Sequence, residues 1–107
     1  MTSFQDRERA EEAKFTHDAE TQFRIQARRN RLLGEWAAER MKLSHAETEA
    51  YAKGVVQADF EEAGDEDVIR KILGDLIGAG VDASESEVRT ALEAKQVDAR
   101  RAFLGEV

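Results

Sequence analysis

Cysteine and proline are both absent from this 107-residue chain. Without cysteine there are no disulfides and no thiolate metal sites, which suits a reducing compartment. Without proline no ring forces a helix to stop or kink. Aromatic residues are only 7%, and β-branched residues are few, so sheet is disfavoured. The longest apolar runs span a few residues, far short of a membrane span. The first residues carry acids and no apolar run, unlike a secretory signal. Direct membrane insertion is therefore not expected.

What the chain does have is charge. Charged residues make up 36% of it and the net charge is −7. The distribution is uneven. Residues 1–42 hold nine Lys/Arg and eight Asp/Glu, whereas residues 43–107 hold seven and fifteen. An acidic body of this kind disfavours generic binding to nucleic acid or to an anionic membrane. Hydrophobic content of 41% suffices for one small core.

The pattern reads as four helices in a small all-α bundle, with short connections that favour antiparallel neighbours. The first runs from about Ser3 to Met41, with Ser3 as N-cap. Past Ala19 it gains a core-facing set: Phe23, Ile25, Leu32, Leu33, Trp36, Ala37 and Met41. Trp36 reads as a core residue. The second begins at the capping box Ser44-His-Ala-Glu47, carries Tyr51, Ala52, Val55, Val56, Ala58 and Phe60 inward, and ends at Gly64 in a left-handed cap. The third opens on Asp65-Glu-Asp, whose carboxylates suit the helix dipole. It presents Val68, Ile69, Ile72, Leu73, Leu76 and Ile77, and ends at Gly78-Ala-Gly80. As the most apolar helix, it is expected to be the most central. The fourth starts at a second capping box, Ser84-Glu-Ser-Glu87, with Val88, Ala91, Leu92, Lys95, Ala99, Ala102 and Phe103 as its stripe. Gly34, Gly54 and Gly74 lie inside helices, as tolerated surface glycines or as points of close helix approach.

Reaction chemistry is hard to find. No glycine-rich phosphate loop follows a strand. His17 and Asp18 point to different faces of a helix, and His45 with Glu49 lacks a third ligand, so no metal or other cofactor is expected. The serines are accounted for as caps, cap neighbours or terminal residues, and an enzyme is not expected. The densest charge feature is Phe23-Arg-Ile-Gln-Ala-Arg-Arg-Asn-Arg31. It can pair with the acidic cluster Asp59, Glu61, Glu62, Asp65, Glu66 and Asp67, or meet an anion or a partner. RNA is disfavoured because stacking aromatics are not interleaved with the arginines.

The stretch Phe4–Glu20, FQDRERAEEAKFTHDAE, is helical in composition yet has little to bury. Eight of the fifteen residues from Phe4 to Asp18 are charged. Its i, i+3 and i, i+4 ion pairs contribute only about 0.2–0.5 kcal/mol each, and an isolated helix this short is marginal. Phe4 and Phe15, eleven residues apart, fall within about 20° of each other on one helical face. Such an arm is mobile alone and helical once something receives that face, or it is a plain extension of the first helix into solvent. His17, its one histidine, is expected to tune function only modestly with pH.

Together FQDRERAEEAKFTHDAE and FRIQARRNRLLGEWAAE resemble the ζ subunit family of alphaproteobacterial F1Fo-ATPases. The most specific part is A-R-R-N-x-L-L-G-x-W-A-A at Ala27–Ala38, with DEDVIRKIxxDL at Asp65–Leu76 in support. The resemblance covers essentially the whole chain. It implies a four-helix inhibitor whose N-terminal segment inserts into the F1 head at a catalytic α/β interface, reaches toward γ and stops hydrolytic rotation. The role is similar to that of the mitochondrial ATPase inhibitory factor. Carried over by position, the arm is residues 1–19 and the globular domain residues 20–107, which would anchor on the outside of the head. Candidate contacts are Phe4, Arg7, Glu8, Arg9, Glu12, Lys14 and Phe15. The expected location is the cytoplasm, on the F1 head at the inner face of the cell membrane. Two rival readings are a small sensor that weakly binds an adenine nucleotide, with Arg24, Arg28 or Arg31 at the phosphates and Trp36 nearby, and a generic helical adaptor.

Overall fold

The computed structural model describes residues 19–61 and 64–106. Four helices make up these residues: α1 (Ala19–Arg40), α2 (His45–Glu61), α3 (Asp65–Gly78) and α4 (Glu85–Glu106). The arm, with Phe4, Arg7, Glu8, Arg9, Glu12, Lys14, Phe15 and His17, lies outside the described residues.

Local chemistry sets the boundaries. The Ser44 N–H donates to Glu47 Oε1 (2.9 Å) while the Glu47 N–H donates to Ser44 Oγ (3.2 Å). Ser84 and Glu87 repeat the exchange at 3.2 Å in each direction. Both expected capping boxes therefore start their helices. α3 ends in a Schellman motif: Gly80 takes φ +81°, its N–H donates to the Ile77 carbonyl, and the Val81 N–H reaches back to Leu76. α1 ends in the same motif with Lys42 at φ +60°, its N–H on the Glu39 carbonyl and the Leu43 N–H on Ala38. Gly64 departs from expectation. It is the N-cap of α3, at φ 144° and ψ 134°, rather than a left-handed cap of α2. Its positive φ still favours glycine.

The core is Leu33 and Ala37 of α1, Val55 of α2, Val68, Ile69, Ile72 and Leu76 of α3, and Val88, Ala91 and Leu92 of α4. The most central helix is α1, not α3. It packs on α2, α4 and α3, while α2 and α4 do not touch among the described residues. Apolar content alone does not set centrality, because small residues decide which helix can be approached closely. Gly34, Ala37 and Ala38 are all buried. A Cβ on Gly34 would sit 2.9 Å from Ala52 Cα and 3.2 Å from Val55 Cγ2. Two expected core residues are instead exposed: Phe23 (52%) and Ile77 (58%). Each lies at a margin of its helix's apolar stripe, toward an end of the helix. Trp36 is only half-buried. It packs against the core and carries the Arg40 guanidinium 5.3 Å from its ring centroid.

The three helical glycines separate cleanly. Gly34→Ala is expected to destabilise the fold by about 1–3 kcal/mol, because backbone lies in the way and α1 and α2 must part. Around Gly54 and Gly74 nothing lies within 4 Å of an added Cβ. Alanine there is expected to stabilise by about 0.5–1 kcal/mol through helix propensity. Urea unfolding of the three variants checks both signs.

Candidate functional site

The arginine-rich segment of α1 does not act as one patch. Arg24 pairs with Glu20 at 2.7 Å on the surface. Arg31 Nη2 pairs with Glu49 of α2 at 2.7 Å, and Arg31 Nε lies 3.7 Å from Glu35. Between them Arg29 is buried together with Asn30. Helical spacing explains the division: residues 29, 30 and 33 turn inward while 24, 28 and 31 turn outward.

Arg29 is the hub of a polar network reaching all four helices. Its Nε and Nη2 donate to Asn30 Oδ1 at 3.1 and 2.9 Å, and Nη1 donates to Asp65 Oδ1 at 2.9 Å. Gln96 Oε1 of α4 lies at 3.5 Å from the same Nη1. The buried Asp59 of α2 lies 3.8 Å from Nη2. Its Oδ2 accepts from Asn30 Nδ2 (2.6 Å) and Gln26 Nε2 (2.7 Å), while its Oδ1 has no hydrogen-bond partner. The expected pairing of arginines with the acidic cluster thus holds for Asp59 and Asp65, both through Arg29. Glu66 and Asp67 go elsewhere, to Arg89 and Arg70. The side chains of Glu61 and Glu62 lie outside the described residues. Sequence reasoning singled out Arg24, Arg28 and Arg31 and passed over Arg29. The adjacent Asn30, an amide at a position flanked by Leu33 and Ala37 on the same face, was the available signal.

Two grooves flank the segment. One, of about 470 Å³, is lined by Ala27, Arg28 and Arg31 of α1 and Lys53, Val56 and Gln57 of α2. The other, of about 270 Å³, is lined by Phe23, Arg24, Ala27 and Arg28 of α1 and Ala99 and Phe103 of α4. Arg28 and Arg31 thus share a groove, while Arg24 faces the second one with Arg28. Trp36 lines neither groove. Among the described residues no three His, Cys, Asp or Glu side chains cluster to hold a metal, and no helix is long and apolar enough to cross a membrane.

Ion pairs between helices hold three carboxyls, Glu49, Glu66 and Glu87, below their ordinary pKa. Arg40 Nη1 donates to Glu87 at 2.8 Å and, with Ser84, pulls its carboxyl down. Arg31 does the same to Glu49, and Arg89 to Glu66. Glu47 is lowered by the Ser44 backbone N–H and hydroxyl. A folded-state pKa below the unfolded value of about 4.3 adds stability that is present above that pH and lost as pH falls through the folded value. The melting temperature is therefore expected to hold from about pH 7 to about pH 5 and to fall below about pH 4. Glu87→Gln should melt lower than wild type at neutral pH, with the two curves converging in acid. Thermal unfolding at a series of pH values reads this directly.

A profile of the family described as ATPase inhibitor subunit zeta matches residues 1–102, nearly the whole chain. The chain belongs to the ATPase inhibitor subunit zeta family. Three solved chains also match. One of them, described as a solution NMR structure, is 49% identical, with a TM-score of 0.70, and covers 80% of this chain and 98% of its own. No curated protein matches. The family's described role is ATPase inhibition.

Proposed function

We propose that this protein inhibits ATP hydrolysis by the F1 sector of F1Fo-ATP synthase and is not itself an enzyme. Residues 1–19 enter a catalytic α/β interface as a helix and reach toward the γ shaft, and the bundle stays outside the head. The partner subunits are thus α, β and γ, at the cytoplasmic face of the membrane. The observation that carries this reading is that the family match begins at residue 1 and so takes in the stretch bearing Phe4 and Phe15. On a helix that stretch brings Phe4 and Phe15 to one face, with Glu8 and Glu11 between them, so a groove on another protein would receive two apolar anchors among charges. Coupling its ordering to binding lets a short, charged arm stay soluble when free. The test is ATP hydrolysis by isolated F1 with the full chain or with residues 20–107 added. Inhibition by the full chain and none by the truncated one is the expected result. Equal inhibition by both would place the activity in the bundle.

A second reading has its own support in the groove where Arg28, Arg31 and Lys53 converge beside Ala27 and Val56. Three cations around a partly apolar cleft suit the phosphates and base of an adenine nucleotide, bound weakly because Arg31 is already engaged by Glu49. In that case residues 20–107 retain nucleotide binding after losing inhibition.

A further inference from the structure

The groove lined by Phe23, Arg24, Ala27, Arg28, Ala99 and Phe103 begins about one turn from Ala19, where residues 1–18 join α1. α4 runs antiparallel to α1, since Arg40 meets Glu87 and Arg29 meets Gln96. Phe103 therefore lies at the end of the bundle to which the arm is attached. The outward face of α1 is the floor between α2 and α4, which do not touch among the described residues. It carries Arg24, exposed, and Arg28, Arg31 and Glu35, half-buried. Their spacing is i, i+4, i+7, i+11. In the arm, Phe4, Glu8, Glu11 and Phe15 have the same spacing. On a helix each set stays within about 60° of arc. Laid antiparallel, the two sets match end to end: Phe15 at Arg24, Glu11 at Arg28, Glu8 at Arg31 and Phe4 at Glu35. Both arm carboxylates then meet guanidinium groups, and Phe15 enters the groove of Phe23 and Phe103.

We propose that this face of α1 is a docking site for the chain's own residues 4–15, which lie on it as a short antiparallel helix and latch the arm to the bundle. Chain length supports this occupant. With Phe15 level with Arg24, the chain must come back along the first five steps of α1 from Ala19, about 7.5 Å, and cross the roughly 8–10 Å between packed helix axes. The diagonal is about 11–12.5 Å, and the four steps from Phe15 to Ala19 span at most about 13–14 Å. Thr16, His17 and Asp18 make the turn, a usual length for a helical hairpin. Charge fixes the register. Sliding the arm one turn off the bundle sets Arg7 against Arg28 and takes Phe15 out to Glu20. Sliding it one turn the other way asks more of the turn than three residues can span. A tether this short also gives the chain's own arm a large advantage in local concentration over the arm of a second copy. The consequence of the latch rests on the F1 reading above. The face bearing Phe4 and Phe15 is covered on the bundle, so the latch must open before F1 receives it.

The chain has no cysteine, so a disulfide can be introduced at chosen positions. Full-length Glu11→Cys/Arg28→Cys is oxidised in dilute solution beside Ala13→Cys/Arg28→Cys, whose arm position lies on the opposite side of the helix. The first pair is expected to close within one molecule about tenfold faster than the second or more. Melting curves of the reduced proteins should coincide with wild type, because the arm is released by local opening and not with the core. ATP hydrolysis by isolated F1 is then measured with each form. The closed first pair should not inhibit, and reduction should restore inhibition. Arg28→Gln/Arg31→Gln, which weakens the latch, should inhibit at a severalfold lower concentration than wild type. If the two pairs close at the same rate while wild type inhibits F1, the latch is refuted and the inhibitor reading stands. If the first pair closes selectively and neither wild type nor the reduced variant inhibits, the docking site stands and the inhibitor reading fails. A closed form that inhibits as well as the reduced one would overturn the latch as a control on the arm. Disulfide-linked dimers in place of closed monomers would overturn it in favour of a second copy's arm.

Discussion

Arg29→Met is expected to cost about 3–5 kcal/mol, among the largest losses available to a single substitution in the bundle. The side chains are similar in length, so little packing is lost and the effect is electrostatic. Arg29 and Asp59 are both buried. Asp59 already has one oxygen without a hydrogen-bond partner, and it keeps only Gln26 and Asn30 once the guanidinium is gone. Asn30 Oδ1 loses both of its donors at the same time. Removing one member of a buried pair leaves an uncompensated charge. Replacing the whole group by apolar residues of similar volume removes the need for compensation. Arg29→Met/Asn30→Leu/Asp59→Leu is therefore expected to be more stable than Arg29→Met alone, since Gln26, Asp65 and Gln96 can turn to water. Arg29→Lys should fall between wild type and Met, because an ammonium cannot reach Asn30, Asp65 and Gln96 as a fork does. For a domain of this size a 3 kcal/mol loss lowers Tm by roughly 12–24 °C. A single variant that melts with wild type, or a triple variant that melts below the single one, would show that the network does not carry this energy.

That network marks where sequence reading stopped. Helix number and the starts of α2, α3 and α4 were legible because capping boxes and heptad-like spacing are local, within three or four residues of one another, whereas the expected start at Ser3 lies outside the described residues. Ser44 with Glu47 and Ser84 with Glu87 exchange the bonds their spacing implies. Arg29 with Asp65 is separated by 36 residues and Asn30 with Asp59 by 29, and nothing local pairs them. Lys42 at φ +60° is a related case, a left-handed helix end without the glycine that would announce it. Gly34 was legible only as an alternative, because its meaning depends on Ala52 and Val55 approaching from α2. Phe23 and Ile77 were misplaced for a simple reason: apolar spacing identifies a face but not where along the helix the neighbours end. Of the candidate site, the division of Arg24, Arg28 and Arg31 between two grooves needed the packing of α2 and α4 onto α1.

Phe4→Ala and Phe15→Ala are expected to weaken inhibition of F1 by about 30-fold or more each, the loss that goes with an aromatic anchor worth about 2 kcal/mol or more. The reasoning is one of area and chemistry. A phenylalanine buries on the order of 150–250 Å², and the two are the only large apolar side chains between Thr2 and Ala19. The charged neighbours Arg7, Glu8, Arg9, Glu12 and Lys14 are expected to act chiefly by steering encounter rather than by holding the complex. Their single substitution by alanine should change the rate of inhibition and its salt dependence more than its extent. The bundle offers an internal control. Among the described residues the buried core runs from Ile25 to Ala99, and the arm reading expects neither phenylalanine variant to lower Tm. The double variant should inhibit no better than residues 20–107 at the concentrations where wild type is complete. The decisive measurement is a dose–response curve for F1 hydrolysis beside a melting curve for each variant. If Phe15→Ala lowers Tm by 10 °C or more, about 2 kcal/mol for a domain of this size, Phe15 belongs to the fold and the arm is shorter than residues 1–19. If both variants inhibit as wild type does, the arm is held by its charges and the groove reading fails.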